Sequence, residues 1–408
     1  MEVDSETVRR VLAAIDEDRV IALASKLISI PSWNRKGQDE VAKYCASYMR
    51  DIGMEVELQD VIIPEGGGCH PPETVTKQAV GKFIGSEGKP SLMLCSHIDA
   101  IIPYKFDLWT KPLGLVENGW IYGVGGQKCG MAAMLEAARV VKQTVRIKGD
   151  LIVACVAEEM SGGLGIQQLL DSGMRPDMAI VGEDTDLQLC TVSVAPVFGA
   201  ICIEGRPDRP KGAGGVDPLA KAFKILQELR PFQPAKPGGW LTFKPHPDLP
   251  GYPRFNVISI RHDPSLYPLS CTILFDCRIV PGQNEETVRR DLENLMSRLK
   301  EQDPDLAVKL VIPPPGWINR VPFEVSPEEY IVQTIAKWHK FVTGEGPYVG
   351  SGIRLGFSSD ANNLMAAGVK CVNYGPGDFK EPINERKKVA DIIKAAKVYA
   401  LTALEICG

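Results

Sequence analysis

His97 and Asp99 stand two residues apart in Ser96-His97-Ile98-Asp99, directly after the apolar run Leu92-Met93-Leu94-Cys95, which predicts a short buried strand. At that spacing on a strand's end, the two side chains point to one face. This is the geometry of a metal-binding imidazole whose tautomer a carboxylate fixes. A second apolar run, residues 151–157, ends in Glu158-Glu159, and a third, residues 178–181, ends in Gly182-Glu183-Asp184-Thr185. Three predicted buried strands therefore deliver His or carboxylate at their C-terminal ends, where open α/β sheets bind ligands. The adjacent carboxylates of Glu158 and Glu159 would repel each other unless one of them meets a cation.

In this order the motifs resemble the co-catalytic zinc hydrolases that include aminoacylase, acetylornithine deacetylase and succinyl-diaminopimelate desuccinylase. Ser96-His97-Ile98-Asp99 matches that family's Gly-His-x-Asp. Glu158-Glu159 with Gly162-Gly163 matches its Glu-Glu-x-x-Gly pattern, and Gly182-Glu183 matches the ligand after the third strand. Arg278 fits the lid-domain Asp-x-Arg, and Gly375-Pro376-Gly377 followed by Asn384-Glu385 fits the C-terminal signature. The resemblance covers nearly the whole chain. It implies hydrolysis of a C–N bond, in which a divalent ion lowers the pKa of bound water and a carboxylate carries the proton to the leaving nitrogen. Residue by residue, it makes Glu158 the general base and His97, Glu159 and Glu183 metal ligands, with Asp99 orienting His97.

The departures define the expected cofactor. The family's Gly-rich turn carries an Asp that bridges two ions, whereas Gly123-Val124-Gly125-Gly126-Gln127-Lys128-Cys129-Gly130 contains none. Gln127 cannot bridge cations as a carboxylate can, so one tightly held ion is expected and a second site is doubtful. The family's last metal-binding His falls here on Glu381. That residue is either a surface ion-pair partner or a ligand whose hard oxygen shifts preference from zinc toward manganese. The lid His that stabilises the substrate carbonyl falls near Arg209, either a surface charge or a group that holds an oxyanion or a substrate carboxylate. Arg354 precedes Ser358-Ser359-Asp360, which matches an active-site segment, and is a carboxylate-binding candidate. Lys128 positions substrate or pairs with a carboxylate, and Asn384 is placed with the substrate-binding residues. Cys95 and Cys129 flank the motifs and read as inert buried thiols.

The elements that must position these residues are legible in the pattern. Residues 7–29 and 38–53 carry helical periodicity, residues 54–58 alternate as a strand, and 64–76 form a Gly- and Pro-rich loop. Strand, Gly-rich loop and helix recur through residue 185, which indicates an α/β sheet covered by helices on both faces. From about residue 192 the order becomes βαββαβ: strands at 192–194 with 200–203, a helix at 217–229, strands at 255–260 and 271–279, a helix at 285–300 and a strand at 306–312. It resembles a ferredoxin-like lid. The expected fold is thus α/β: a mixed-sheet, zinc-peptidase-like catalytic domain of residues 1–191 and 317–408, with an inserted α+β lid and dimerisation domain at 192–316.

A net charge of −5 gives no support for nucleic-acid binding, and no run reaches the length of a membrane span. Eleven cysteines without a Cys-x-x-Cys pair, several within apolar strands, point to reduced thiols. With an acidic N-terminus, the expectation is a cytoplasmic protein without a targeting peptide. A homodimer through lid helices and an edge strand at 200–203 is expected. Three functions are open: an amidohydrolase of a small carboxylate-bearing substrate, an aminohydrolase of an aromatic amine (nitroanthranilate-type, using one metal), and a non-catalytic binding or scaffold relative.

Overall fold

The computed structural model describes residues 3–65, 75–208, 214–263, 269–377 and 383–408. Its larger sheet has eight strands in the order Glu55–Ile62, Val75–Phe83, Gly149–Val156, Lys89–His97, Met178–Val181, Lys370–Asn373, Leu189–Cys190, Val349–Gly350. Lys89–His97 runs parallel to both of its neighbours, while Val75–Phe83 joins Gly149–Val156 antiparallel, so the sheet is mixed. Residues 92–97 and 151–156 are buried without exception, which requires cover on both faces and explains why these strands read as unbroken apolar runs. Register brings the functional ends level: His97 pairs with Val156, and Cys95 with Val181.

Local chemistry sets the helix starts. Asp4, Asp16 and Asn34 each accept a backbone N–H two or three residues into the helix they precede. The cap at Asp16 divides the single helix expected over 7–29 into Ser5–Ala13 and Glu17–Ser29, because a capping residue takes extended backbone. The second helix starts at Arg35, three residues before the expected 38. Gly126–Thr144 and Val389–Cys407 pack on each other and on the strand Lys89–His97. Most of the expected loop at 64–76 lies outside the described residues.

A second, four-stranded antiparallel sheet has the order Arg254–Asp263, Ser270–Ile279, Ala195–Glu204, Ala307–Val311, with helices Pro218–Leu229 and Glu285–Gln302. It has its own apolar cluster, including Ile201, Phe275, Ile225 and Leu292. The chain leaves the first sheet after Leu189–Cys190 and re-enters it at Val349–Gly350. One expectation is corrected here. Ala195–Glu204 is not an edge, because Ser270–Ile279 and Ala307–Val311 flank it on both sides. The ten described cysteines are free, and all but Cys202 are buried. Among the described residues, no helix is long and apolar enough to cross a membrane.

Candidate active site

The C-terminal ends of the parallel strands open into a cavity of about 480 Å³, closed from the other side by Pro196, Phe198 and Arg278 of the smaller sheet. His97 lies at the last position of its strand, 5% exposed. Its Nδ1 stands 3.3 Å from Asp99 Oδ1, and its Nε2 is 3.8 Å from Glu183 Oε1. Asp99 is held in turn by the backbone N–H groups of Glu159 and Met160, at 3.2 and 3.0 Å. Burial alone would push the imidazole pKa down, but Asp99, Glu183 and Glu159 outweigh it and raise it to about 10. Burial raises Glu183, and Arg354 and His97 pull against that rise.

The paired glutamates part company. Glu158 adopts left-handed backbone, φ 62°, a conformation that costs a non-glycine residue about 1–3 kcal/mol and needs surrounding contacts to hold it. Those contacts are an ion pair with Arg35 and a hydrogen bond from Ser161 Oγ, both to a fully buried carboxylate. The turn sends Glu158 inward and Glu159 into the cavity wall. Glu159 Oε1 accepts a hydrogen bond from Arg320 Nη1 at 2.7 Å, and its backbone carbonyl accepts one from Arg320 Nη2 at 2.9 Å. The expected base, Glu158, therefore does not reach the cavity in this arrangement.

Of the expected substrate-binding residues, Arg354 lines the cavity, 3.4 Å from Glu183 Oε2 and stacked over Phe357. Lys128 does not. It is buried beneath the Gly-rich turn and donates to Ile30 O and Ser32 Oγ, at 2.9 and 3.1 Å. Asn384 is likewise corrected to a loop tether: its side-chain oxygen accepts from the N–H groups of Thr110 and Lys111. Gln127 lines the cavity and donates to the Asp99 carbonyl. Arg209 and Glu381 lie outside the described residues.

Four residues of the centre carry no signal in the sequence that singles them out. Arg320 and Arg35 look like any other arginine there; only their burial marks them. Asp184 stands beside Glu183 in the motif, where Glu183 alone is the expected ligand. Lys387 sits in Arg386-Lys387-Lys388, which reads as a solvated charge run. That segment is a strand paired with Trp120–Tyr122, and alternation turns Lys387 inward and Lys388 out.

Among the described residues, no group of three or more His, Cys, Asp or Glu side chains is gathered closely enough to hold a metal. The Gly-rich turn supplies no carboxylate to share between two ions. His97 and Glu183 are the described residues that would hold an ion. Glu183 Oε1 is buried without a hydrogen-bond partner, and its 3.8 Å separation from His97 Nε2 suits two donors that each approach an ion at about 2.0–2.2 Å.

A mixed sheet thus presents His and carboxylates at its strand ends, and the smaller sheet adds an arginine to the cavity. The chain belongs to peptidase family M20/M25/M40, whose description matches residues 93–405. It is 23% identical over 414 residues to N-formyl-4-amino-5-aminomethyl-2-methylpyrimidine deformylase of Bacillus subtilis, covering 94% of this chain and 93% of that protein. It is 24% identical over 406 residues to acetylornithine deacetylase of Myxococcus xanthus, covering 95% and 97%. Its fold matches the di-peptidase Dug1p of Saccharomyces cerevisiae with a TM-score of 0.74 at 15% identity, over 98% of each chain. The protein is thus an enzyme of the metal-dependent amidohydrolase and peptidase class, and the scaffold reading falls away.

Proposed function

We propose that this enzyme hydrolyses an amide-type C–N bond in a small substrate bearing a carboxylate, using one zinc or manganese ion held by His97 and Glu183. The observation that carries the reading is the orphaned Glu183 oxygen facing His97 Nε2 at the cavity floor. When bound, such an ion supplies Lewis acidity toward a carbonyl and lowers the pKa of water. Asp99 fixes the His97 tautomer. Arg354 and Arg278, both lining the cavity, offer guanidinium groups to a substrate carboxylate, and Phe198, Phe357 and Met160 offer apolar surface.

Glu159 is the proton carrier in this reading. Arg320 anchors one of its oxygens, and the other makes no hydrogen bond among the described residues. Glu159→Gln should lower kcat by roughly 10²–10⁴ while metal content stays unchanged. Glu158→Gln should lose stability and keep turnover in the folded fraction. The reverse pattern, with Glu158→Gln folded, metal-loaded and inactive, would return the base to Glu158. The apolar wall also suits an aromatic amine as substrate. Ammonia release without a new carboxylate, in assays across N-acyl amino acids, dipeptides and aryl amines, distinguishes that reading.

The division into residues 1–191 with 317–408, and 192–316 as lid, is supported by the two larger apolar clusters, while a third, small one (Val192, Val194, Leu249, Val280) packs against Leu355 across the boundary. We propose a homodimer through the lid, moved from the interior strand to the edge strand Arg254–Asp263, where Ile258 and Ile260 are 46% and 42% exposed.

A further inference from the structure

The Gly-rich turn supplies no carboxylate, and the space beside its Gly126 is filled from elsewhere. A Cβ on Gly126 would lie 1.6 Å from Asp184 Oδ1 and 2.4 Å from its Cγ. Asp184 reaches this place from the loop after Met178–Val181, is 3% exposed and lines the cavity. Its Oδ1 is buried without a hydrogen-bond partner among the described residues. Its Oδ2 accepts from Lys387 Nζ at 3.2 Å. The Lys387 side chain has no exposed surface, and its Nζ also meets Glu385 Oε1 at 2.8 Å. Gly377, at φ +99°, clears the path: a Cβ there would sit 2.8 Å from Lys387 Cδ and 2.9 Å from Asp184 Oδ1. Two glycines from separate segments thus make room for one buried ion pair.

We propose that Lys387 is a resident cation standing in for a second metal ion, with Asp184 and Glu385 as the carboxylates that would otherwise bind it. This rests on the one-ion reading above. Both carboxylates line the cavity, and the one ammonium meets both of them. Burial works against the charge on Lys387, but Asp184 and Glu385 outweigh it and raise its pKa. An ammonium balances charge and donates hydrogen bonds but has no vacant orbital, so it cannot coordinate a carbonyl oxygen. Removing it takes the shared ammonium from two carboxylates, one of which carries the orphaned Oδ1, and leaves hard oxygen donors to a divalent ion.

The test is metal stoichiometry of the full chain by elemental analysis after saturation with Mn²⁺ or Zn²⁺ and removal of free ion. Wild type should hold about one ion and Lys387→Met about two, a doubling, while Lys387→Arg stays at about one. A folded Lys387→Met that still holds one ion overturns the proposal. So does a wild type holding two, which a calorimetric Mn²⁺ titration of the wild type reads as a second saturable site even if Lys387→Met does not fold. A single site in that titration supports it. A wild type that binds no ion sinks the one-ion reading itself, and with it the role of Lys387.

Discussion

Arg35 and Glu158 are both buried, and each is the other's charge partner. Removing one side of such a pair leaves an uncompensated charge in the interior, which costs about 3–5 kcal/mol. Arg35→Met should therefore lower unfolding stability by about that amount in urea titrations, and Arg35→Met with Glu158→Gln should recover part of it. Lys128 makes a different prediction. Burial pushes its pKa down to about 8 from 10.5, so between those values the unfolded chain holds more protons than the folded one. The stability of wild type relative to Lys128→Met should rise with pH across that window, by up to about 1.4 kcal/mol per pH unit. Below it, the difference should be flat. Urea unfolding of both proteins below and across the window measures this.

Gly126–Thr144 starts against the loop after Met178–Val181, and Gly126 is one of its contacts. Gly126→Ala would place a methyl on Asp184 Oδ1, and overpacking of this kind costs about 1–3 kcal/mol. In an Asp184→Gly background the same substitution should cost less. A coupling of about 0.5–3 kcal/mol from the four-variant unfolding cycle is the expected result, and additivity would show that the two elements do not share this space. The element scale also explains why the paired glutamates separate. The strand ends at Val156, the left-handed residue at 158 turns the chain, and a short turn at Glu159–Ser161 faces the cavity.

At the scale of the molecule, the cavity is shared between the two sheets, and Arg278 spans them: it is anchored by Asp276 at 2.7 Å and reaches the Gly356 carbonyl at 3.4 Å. The proposed dimer rests on the edge strand Arg254–Asp263 instead. The mass by light scattering at micromolar concentration should be that of a dimer, and Ile258→Lys with Ile260→Lys should yield a folded monomer. A wild-type monomer would rule out the lid interface.

Features that depend on pattern and local chemistry were legible along the chain. Unbroken apolar runs marked the central strands, their polar ends marked His97, Asp99, Glu159 and Glu183, and the switch to βαββαβ marked the lid. Each of these depends on residues close in the chain. The tertiary structure alone decided which charges meet. Arg35 takes Glu158 across 123 residues, Arg320 takes Glu159 across 161, and Lys387 takes Asp184 across 203. It also decided that Lys128 points under the turn and that the strand expected at the lid edge lies inside. Periodicity reports which face of an element is buried, but the partner of a buried charge is set by packing between segments far apart in sequence, and no local pattern encodes it.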